Sequence, residues 1–174
     1  MKSKYLESER LYFEALSSKH LSQVYVNWLN DTRVNKYLES GGDYALNKLE
    51  TFLIEQTQKD ILFWAIHIKD SKKHIGNIKI DPINLENNSG EYGILMGDCN
   101  EWGKGYAKEA SVTIIDYCFK TLKLSKITLG VIDENRSAVK LYEKLGFETE
   151  SIIENSGVYD NKMCNSIRMV KKND

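Results

Sequence analysis

The segment Glu101-Trp-Gly-Lys-Gly-Tyr-Ala107 lies between a predicted strand, residues 91–97, and a long predicted helix, about residues 103–122. Its two glycines allow a tight backbone turn and expose consecutive backbone N–H groups. At a helix N-terminus such groups bind phosphate oxygens, and Lys104 and Lys108 add positive charge nearby. The segment therefore predicts a phosphate-binding turn, with a plain strand-to-helix connection as the alternative.

Two common nucleotide-binding motifs fit this segment poorly. A Walker loop requires Ser or Thr after Gly-Lys, whereas Gly103-Lys104 is followed by Gly105. A dinucleotide-binding fingerprint requires a small residue three positions after the second glycine, and Lys108 is too bulky there. The spacing to Asp133 is also too long for a ribose-binding acid. The sequence therefore gives weak support to either motif.

A second segment, Asp133-Glu-Asn-Arg-Ser-Ala-Val-Lys-Leu-Tyr-Glu-Lys-Leu-Gly-Phe147, predicts the end of a strand, a helix over residues 135–145 and a new strand. Asn135 is the predicted helix cap, and Gly146 ends the helix. Ala138 and Leu141 are spaced to face a sheet. For Tyr142, a packed aromatic is the ordinary interpretation.

Hydrophobic periodicity predicts one strand, three helices, three strands, a helix, a strand, a helix and two closing strands. The unit over residues 91–132 has a crossover of about 20 residues, which favours a parallel strand pair. The short connections elsewhere favour antiparallel pairs. The predicted fold is therefore α/β, with a mixed sheet of six to seven strands and helices on both faces. The predicted strands are residues 9–16, 61–69, 75–80, 91–97, 126–132, 147–153 and 162–170, and the first three helices start near residues 18, 32 and 45.

The composition predicts a single domain over residues 1–174 that works in the cytoplasm. Lys and Arg number 24 against 25 Asp and Glu, which argues against nucleic-acid or anionic-membrane partners. No apolar run approaches the roughly 20 residues that span a bilayer, and no secretory signal is recognisable near Met1. Cys99, Cys118 and Cys164 are widely spaced, so we expect neither a disulfide framework nor a metal site.

Together, the two segments resemble the acetyl-CoA-binding motifs of the GNAT superfamily of N-acetyltransferases. The first family motif, (Gln/Arg)-x-x-Gly-x-(Gly/Ala), is similar to Trp102-Gly-Lys-Gly-Tyr-Ala107, with Trp102 in place of the polar residue. The second motif matches Asn135 to Phe147 without a gap. Arg10-Leu-Tyr-Phe and Trp28-Leu-Asn-Asp31 resemble the ribosomal-protein (RimJ/RimL-like) branch. The resemblance covers nearly the whole chain and implies a GNAT-like fold with a splayed parallel strand pair.

The resemblance implies that acetyl-CoA binds in the cleft between the splayed strands. Its pantetheine arm pairs with the first strand, and its pyrophosphate lies on the backbone of the glycine turn. The acetyl group passes directly to an amine, so none of the cysteines is expected to act as a nucleophile and no metal is expected. The implied cofactor-binding residues are Ile94, Leu95, Met96, Trp102, Gly103, Lys104, Gly105, Tyr106, Ala107, Lys108, Asn135, Ser137, Lys140 and Tyr142.

Tyr142 matches the family tyrosine that protonates the leaving thiolate, and Asn135 matches an asparagine that orients groups near the thioester. Some relatives carry a Glu base in the strand before the second motif, but the corresponding position here is near Gly130. Glu91 is therefore the first candidate base, followed by His67, Asp133 and Glu134.

The missing base favours a weakly basic acceptor. Deprotonating a lysine-like amine of pKa ~10.4 at pH 7 costs roughly 4–5 kcal/mol, against about 1 kcal/mol for an α-amino group. We expect a small amine such as an amino sugar or nucleotide-linked amino sugar, lined by Tyr37, Tyr44 and the loop containing Gly41 and Gly42. The alternatives are a protein N-terminus as acceptor, or a non-catalytic acetyl-CoA-binding module. The sequence leaves open whether the protein is a monomer or a homodimer.

Overall fold

One mixed sheet organises residues 2–38 and 42–173, the part of the chain that the computed structural model describes. The strands lie in the order β1-β2-β3-β4-β5-β6-β8-β7. Their bounds are β1 Leu6–Glu7, β2 Leu11–Ala15, β3 Leu62–Ile68, β4 His74–Asn84, β5 Ser89–Met96, β6 Lys126–Ile132, β7 Glu148–Tyr159 and β8 Lys162–Lys172. The helices are α1 Gln23–Asn30, α2 Thr32–Asn35, α3 Leu46–Gln58, α4 Tyr106–Asp116 and α5 Arg136–Lys144.

The predicted mixed sheet is confirmed, and its parallel pair is β5 with β6. The other neighbouring strands pair antiparallel. The sheet has eight strands rather than the predicted six or seven because β1, only two residues long, pairs with Tyr12 and Phe13. A strand that short has no alternation for a sequence pattern to reveal.

The helices cover both faces of the sheet, as predicted. On one face, α4 and α5 enclose the larger core with Trp64, whose ring meets Tyr117 edge-on at 5.9 Å. On the other face, α1 and α3 pack around Trp28 and Leu49. A Cβ on Gly97 would lie 2.2 Å from the Trp28 ring, so α1 reaches the sheet because this position has no side chain. No helix within the described ranges is long and apolar enough to cross a membrane.

Several element boundaries differ from the predictions, and the largest difference is that β7 continues to Tyr159 rather than ending at residue 153. Helix α1 begins after Ser22, whose hydroxyl accepts from the Tyr25 N–H, and residues 18–20 form a separate 3-10 turn. Strand β4 continues through Pro82, which the sequence places in a loop, because the register shift after Ile80 lets the ladder accommodate a residue without an N–H. Helix α4 changes at Tyr117 into a π-helical turn.

Candidate active site

A cleft opens where β5 and β6 separate within the sheet. The ladder between them joins residues 89–91 to residues 126–128 and ends there. Beyond it, β5 stays paired with β4 as far as Met96, and β6 stays paired with β8 as far as Ile132. No other strand in the described ranges lies between the two facing edges. Apart from the Met96 carbonyl, which accepts from Trp102, backbone groups near Ile94, Leu95 and Met96 are therefore available to pair with an extended ligand.

The glycine turn lies at the end of β5, as predicted, and leads into α4. Gly103 and Gly105 have φ values of +76° and +84°, a conformation that residues with a Cβ rarely adopt. Gly105 caps the helix and has no side chain to accept from the first helical N–H groups, those of Tyr106, Ala107 and Lys108. A Cβ on Gly103 would meet nothing within 4 Å. The turn is thus an open cradle with N–H donors, which fits a pyrophosphate.

The two predicted phosphate-binding lysines differ in their surroundings. Lys104 Nζ lies 2.7 Å from Glu101 Oε2, so its charge is already paired. Glu101 also accepts from Lys73, which in turn contacts Asp98 at 2.6 Å. Lys108 is exposed on the first turn of α4. Lys108 is therefore the better placed of the two to meet a phosphate without breaking an existing ion pair.

Arg10, part of the Arg10-Leu-Tyr-Phe segment near the start of the chain, lies against this turn. Its Nη1 donates to the Lys104 carbonyl at 3.0 Å, and its Nε donates to Glu109 Oε2 at 2.7 Å. Its guanidinium also lies 4.5 Å from the centre of the Tyr106 ring. Arg10 therefore ties the start of β2 to the turn and to the first turn of α4. No local sequence signal reveals this contact, which joins residues 94 positions apart.

Trp102 occupies the position where the family motif has a polar residue. Its side chain is 43% exposed, and its Nε1 donates to the Met96 carbonyl at 2.9 Å. The indole thereby joins the turn to the last residue of β5, on the strand edge that borders the cleft.

Tyr142 lies on α5 beneath the cleft and is 7% exposed. Its ring meets Tyr92 and Phe147 edge-on at 5.8 and 6.0 Å. Burial raises the pKa of Tyr142 to about 12, so the hydroxyl is protonated at neutral pH. No side-chain hydrogen bond to this hydroxyl is formed within the described residues, which leaves it available to a ligand.

The other motif residues lie at the start of α5. Asn135 takes the N-cap position, but its side chain makes no cap bond to the backbone; instead, its Oδ1 accepts from the Ser137 hydroxyl at 3.2 Å. Ser137 and Lys140 are exposed on the first two turns of the helix. The amide of Asn135 is thus not committed to helix capping.

Glu91, the first candidate base, is held in an ion pair at the closed end of the cleft. Arg168 donates to both carboxylate oxygens at 2.6 and 2.7 Å, and Thr128 donates to Oε2 at 2.8 Å. Burial acts to raise the pKa of the Glu91 carboxyl, but the bonds from Arg168 and Thr128 outweigh it and lower the pKa. A carboxylate held in this way is a weak proton acceptor.

Gly130 explains how Arg168 reaches Glu91. The two positions are paired across β6 and β8, and a Cβ on Gly130 would lie 3.2 Å from Arg168 Nη1. The guanidinium extends across β6 at the position where some relatives carry their base.

Of the remaining candidate bases, Asp133 and Glu134 have partners, and His67 lies away from the cleft. His67 lies on β3, two strands from β5, beside Glu14. Asp133 accepts from the backbone and side chain of Asn165 at 3.1 and 2.9 Å. Glu134 pairs with Lys162 at 2.6 Å on the surface. Of these three, Asp133 and Glu134 lie next to Asn135, whereas His67 is remote from it in the sheet.

The predicted acceptor-binding tyrosines lie in different surroundings. Tyr37 donates to the Glu134 carbonyl at 3.1 Å, next to Asn135, and its ring lies 6.1 Å from that of Tyr159. These residues line a small cavity with Lys36, Asp160 and Lys162. Tyr44 packs on the α1–α3 core, with Lys48 Nζ 4.4 Å from its ring centre. Residues 39–41, which include Gly41 of the predicted acceptor loop, lie outside the described residues.

Comparison with known proteins matches residues 10–148 to the Acetyltransferase (GNAT) domain family. An uncharacterized N-acetyltransferase, p20, from Bacillus licheniformis is 29% identical over 153 residues, 83% of this chain and 85% of that protein. A spermidine N-acetyltransferase structure from Vibrio cholerae, in complex with CoA and spermine, is 25% identical with a TM-score of 0.84 and covers 94% of this chain and 96% of its own. A ribosomal-protein-S5-alanine acetyltransferase from Vibrio fischeri has the same fold, with 19% identity, a TM-score of 0.84 and coverage of 99% and 98%.

Proposed function

Because this chain belongs to the GNAT acetyltransferase family and is an acetyl-CoA-dependent N-acetyltransferase, we propose that its acceptor is a small primary amine. The separation of β5 from β6, with the glycine cradle at one end and Tyr142 beneath, is the observation that carries the proposal. It provides an extended edge for one ligand and a proton donor beside it.

The residues of the cleft fit acetyl-CoA, which supplies a thioester carbonyl that a neutral amine attacks directly. The backbone of residues 103–108 holds the pyrophosphate, and the free edge of β5 near Leu95 holds the pantetheine arm. Ser137 and Lys140 line the path of the cofactor at the start of α5. Arg10 keeps the cradle in place through the Lys104 carbonyl.

Tyr142 holds a proton at its hydroxyl and gives it to the sulfur that leaves the acetyl group. Burial raises the pKa of Tyr142 to about 12, whereas an ordinary thiol has a pKa of about 8.5. The proton transfer therefore requires that the cleft also raises the pKa of the leaving thiol, which is the effect that desolvation has on a thiol.

The amine proton leaves by way of Glu91 or of solvent. Because Arg168 lowers the pKa of Glu91, this carboxylate suits an amine that is already partly neutral near pH 7. That condition favours an amino sugar or another weakly basic amine over a lysine side chain.

Polyamines are a second candidate, favoured by the similarity to the spermidine acetyltransferase and by the mixed charge of the cavity at Tyr37. Asp160 and Glu134 in that cavity can bind a cationic chain if their lysine partners move aside. Protein N-termini, the acceptor of the RimJ/RimL-like branch, are a third possibility with a similar amine pKa.

Release of free CoA thiol separates these acceptors. Amino sugars, nucleotide-linked amino sugars, spermidine, N-terminal alanine peptides and lysine peptides are offered at equal concentration near pH 7. We expect the highest kcat/KM with a small amine, and a higher value for an amino sugar than for spermidine. A higher kcat/KM with peptides would overturn the small-amine proposal. Stoichiometric CoA binding without thiol release from any amine would favour a non-catalytic binding module.

A further inference from the structure

The three histidines of the chain, His20, His67 and His74, come together away from the cleft. Their ring centres lie 5.0 to 5.4 Å apart, although they belong to a 3-10 turn, to β3 and to β4. Glu14 on β2 completes the group, with Oε1 3.1 Å from His20 Nε2 and 3.7 Å from His67 Nε2. The group lies on β2, β3 and the start of β4, on the far side of β4 from the splayed strands.

Polar atoms in this group are not fully used by the protein. His67 is 6% exposed, and its Nδ1 is the one fully buried side-chain polar atom without a hydrogen-bond partner in residues 2–38 and 42–173. The imidazole is stacked on Tyr12 at 4.6 Å, and its Nε2 lies 3.7 Å from Glu14 Oε1. Nδ1 and Nε2 point in different directions from the ring, so a cation shared with Glu14 binds Nε2 and leaves Nδ1 as it is. The observation that points to a cation is Nε2 itself, which faces Glu14 Oε1 beyond hydrogen-bond distance.

Atoms of Glu14, His20 and His67 are spaced to share one cation. One ligand atom from each lies within 4.8 Å of the other two. Tetrahedral zinc with ligand distances of about 2.0–2.2 Å holds its ligands about 3.3 Å apart, so a shift of at most about 1.5 Å closes the group. His20 Nδ1 lies 3.1 Å from the Ser17 N–H, which donates to it, and 3.1 Å from the Ser17 carbonyl. Metal binding at Nε2 requires the tautomer in which Nδ1 carries the proton and donates to that carbonyl.

We propose that Glu14, His20 and His67 form a binding site for a divalent transition-metal ion such as Zn²⁺. Two imidazoles and one carboxylate select zinc, nickel or copper over Mg²⁺ and Ca²⁺, which prefer oxygen ligands. His74 does not belong to the three residues whose ligand atoms lie within 4.8 Å of one another, and its Nε2 contacts the Gly76 carbonyl and Asn77 Oδ1 at 3.0 and 2.9 Å. Its ring forms one wall of the site. The bound ion joins β2, β3 and the 3-10 turn.

Lys19 lies on the solvent-exposed side of the site, next to Glu14. Its Nζ lies 2.6 Å from Glu14 Oε2, which leaves Oε1 directed to the two imidazoles. Glu14 and Lys19 side chains are 26% and 58% exposed, whereas those of His20 and His67 are 3% and 7% exposed. An ion therefore reaches the histidines by way of the Glu14 carboxylate, and the Lys19 ammonium competes with the ion for that carboxylate.

Zinc titration of the full chain, made without a histidine tag and treated with a chelator, tests the site. We expect calorimetry to give about one Zn²⁺ per chain, and Co²⁺ to give visible absorption without the charge-transfer band of a thiolate. Glu14→Gln preserves the shape of a partly exposed residue, and His67→Phe preserves the stack on Tyr12. Each should weaken zinc binding at least about 10-fold, because even partners outside the ligand set contribute about 10–100-fold. Lys19→Met, the matched control, should bind zinc at least as tightly as the wild type.

The site is ruled out if the wild-type chain shows no saturable zinc binding. It is equally ruled out if Glu14→Gln, folded by circular dichroism, binds zinc with unchanged affinity. Because Glu14 is partly exposed, this second result remains readable even where His67→Phe does not fold. Saturable binding of Mg²⁺ with the same variant pattern would contradict the proposed preference for transition metals.

Discussion

The ring of Tyr142 packs in the core, whereas its hydroxyl is the proposed proton donor. Its buried ring contacts Tyr92 and Phe147, while its hydroxyl forms no side-chain hydrogen bond within the described chain. Tyr142→Phe should keep the packing and remove the proton donor. We expect kcat to fall about 10²–10⁴-fold with little change in KM for acetyl-CoA, measured where acetyl transfer limits the rate.

Tyr92→Phe is the matched control for that prediction. Its hydroxyl shares a 2.7 Å hydrogen bond with Ser111 on the same face of the sheet. Its removal should lower the free energy of unfolding by about 0.5–1.5 kcal/mol and leave kcat nearly unchanged. Near-wild-type turnover of Tyr142→Phe would return Tyr142 to a packing role.

A substitution at Gly105 tests whether the glycine turn binds phosphate. Gly105→Asp places a carboxylate beside the N–H donors of α4, where repulsion from a phosphate about 4 Å away amounts to about 1–4 kcal/mol. We expect CoA affinity, measured by calorimetry, to fall at least about 10-fold. Gly146→Asp is the control for backbone strain, because Gly146 also has a positive φ, +83°, but follows α5. Equal loss of affinity in both variants would attribute the effect to strain instead of phosphate binding.

At the scale of elements, Arg10 joins β2 to the N-terminus of α4. Its contacts with the Lys104 carbonyl and Glu109 are charged but partly exposed, so we assign them about 1 kcal/mol after screening by solvent. Arg10→Met should therefore raise KM for acetyl-CoA about 5-fold and change kcat less. As the control, Lys120→Met removes the ion pair with Asp116, the last residue of α4, and should leave KM unchanged. A fall in kcat alone for Arg10→Met would contradict a role in holding the cradle.

The ion pair between Glu91 on β5 and Arg168 on β8 gives a second prediction at this scale. If Glu91 accepts the amine proton, Arg168→Met should raise the pKa of Glu91 and move the acidic limb of the kcat/KM profile to higher pH. Glu91→Gln should remove that limb and lower kcat about 10²–10⁴-fold. Unchanged pH profiles in both variants, with reduced stability, would make the pair a purely structural brace.

Elements with strong local patterns could be predicted from the sequence, and contacts between distant segments could not. Strand β6 has the predicted bounds, and α5 lies within one residue of them, because apolar periodicity and Gly146 are local signals. Some features depend on side chains that the topology brings together from distant segments. The contacts of Arg10 and the Arg168–Glu91 pair join residues 77 to 94 positions apart, and the histidine group comes from separate elements. A proline such as Pro82 predicts a loop, because the bulge that keeps it inside β4 depends on the neighbouring strand, β5.

For the whole molecule, the histidine group predicts a loss of stability in acid. Burial lowers the pKa of His20 and lowers those of His67 and His74 to about 4. The folded state therefore binds fewer protons than the unfolded state between pH 6.5 and about 4, so stability is full above pH 6.5 and falls as the pH decreases through this range. The charged or titratable groups that face the rings are Glu14, Lys19, Tyr12 and Tyr25.

Denaturant titrations of chelator-treated protein at pH 7, 6 and 5 measure this effect. Between pH 7 and pH 5, we expect the free energy of unfolding to fall by on the order of a few kcal/mol. The attraction of Glu14 for a protonated ring opposes part of this fall. His67→Phe should reduce the pH dependence, even if it also changes stability at pH 7. Equal free energies for the wild type at the three pH values would contradict the burial of neutral rings.

The indole of Trp102 gives this protein an optical signal of its own. Trp28 and Trp64 are 6% and 0% exposed and lie in the two cores, whereas Trp102 is 43% exposed on the glycine turn. Fluorescence near the red edge of the emission therefore comes mainly from one side chain, positioned between the phosphate cradle and the last carbonyl of β5. If acetyl-CoA binds at this turn as we propose, we expect its binding to shift that emission in the unlabelled chain, and Trp102→Phe is the control that should lose the signal.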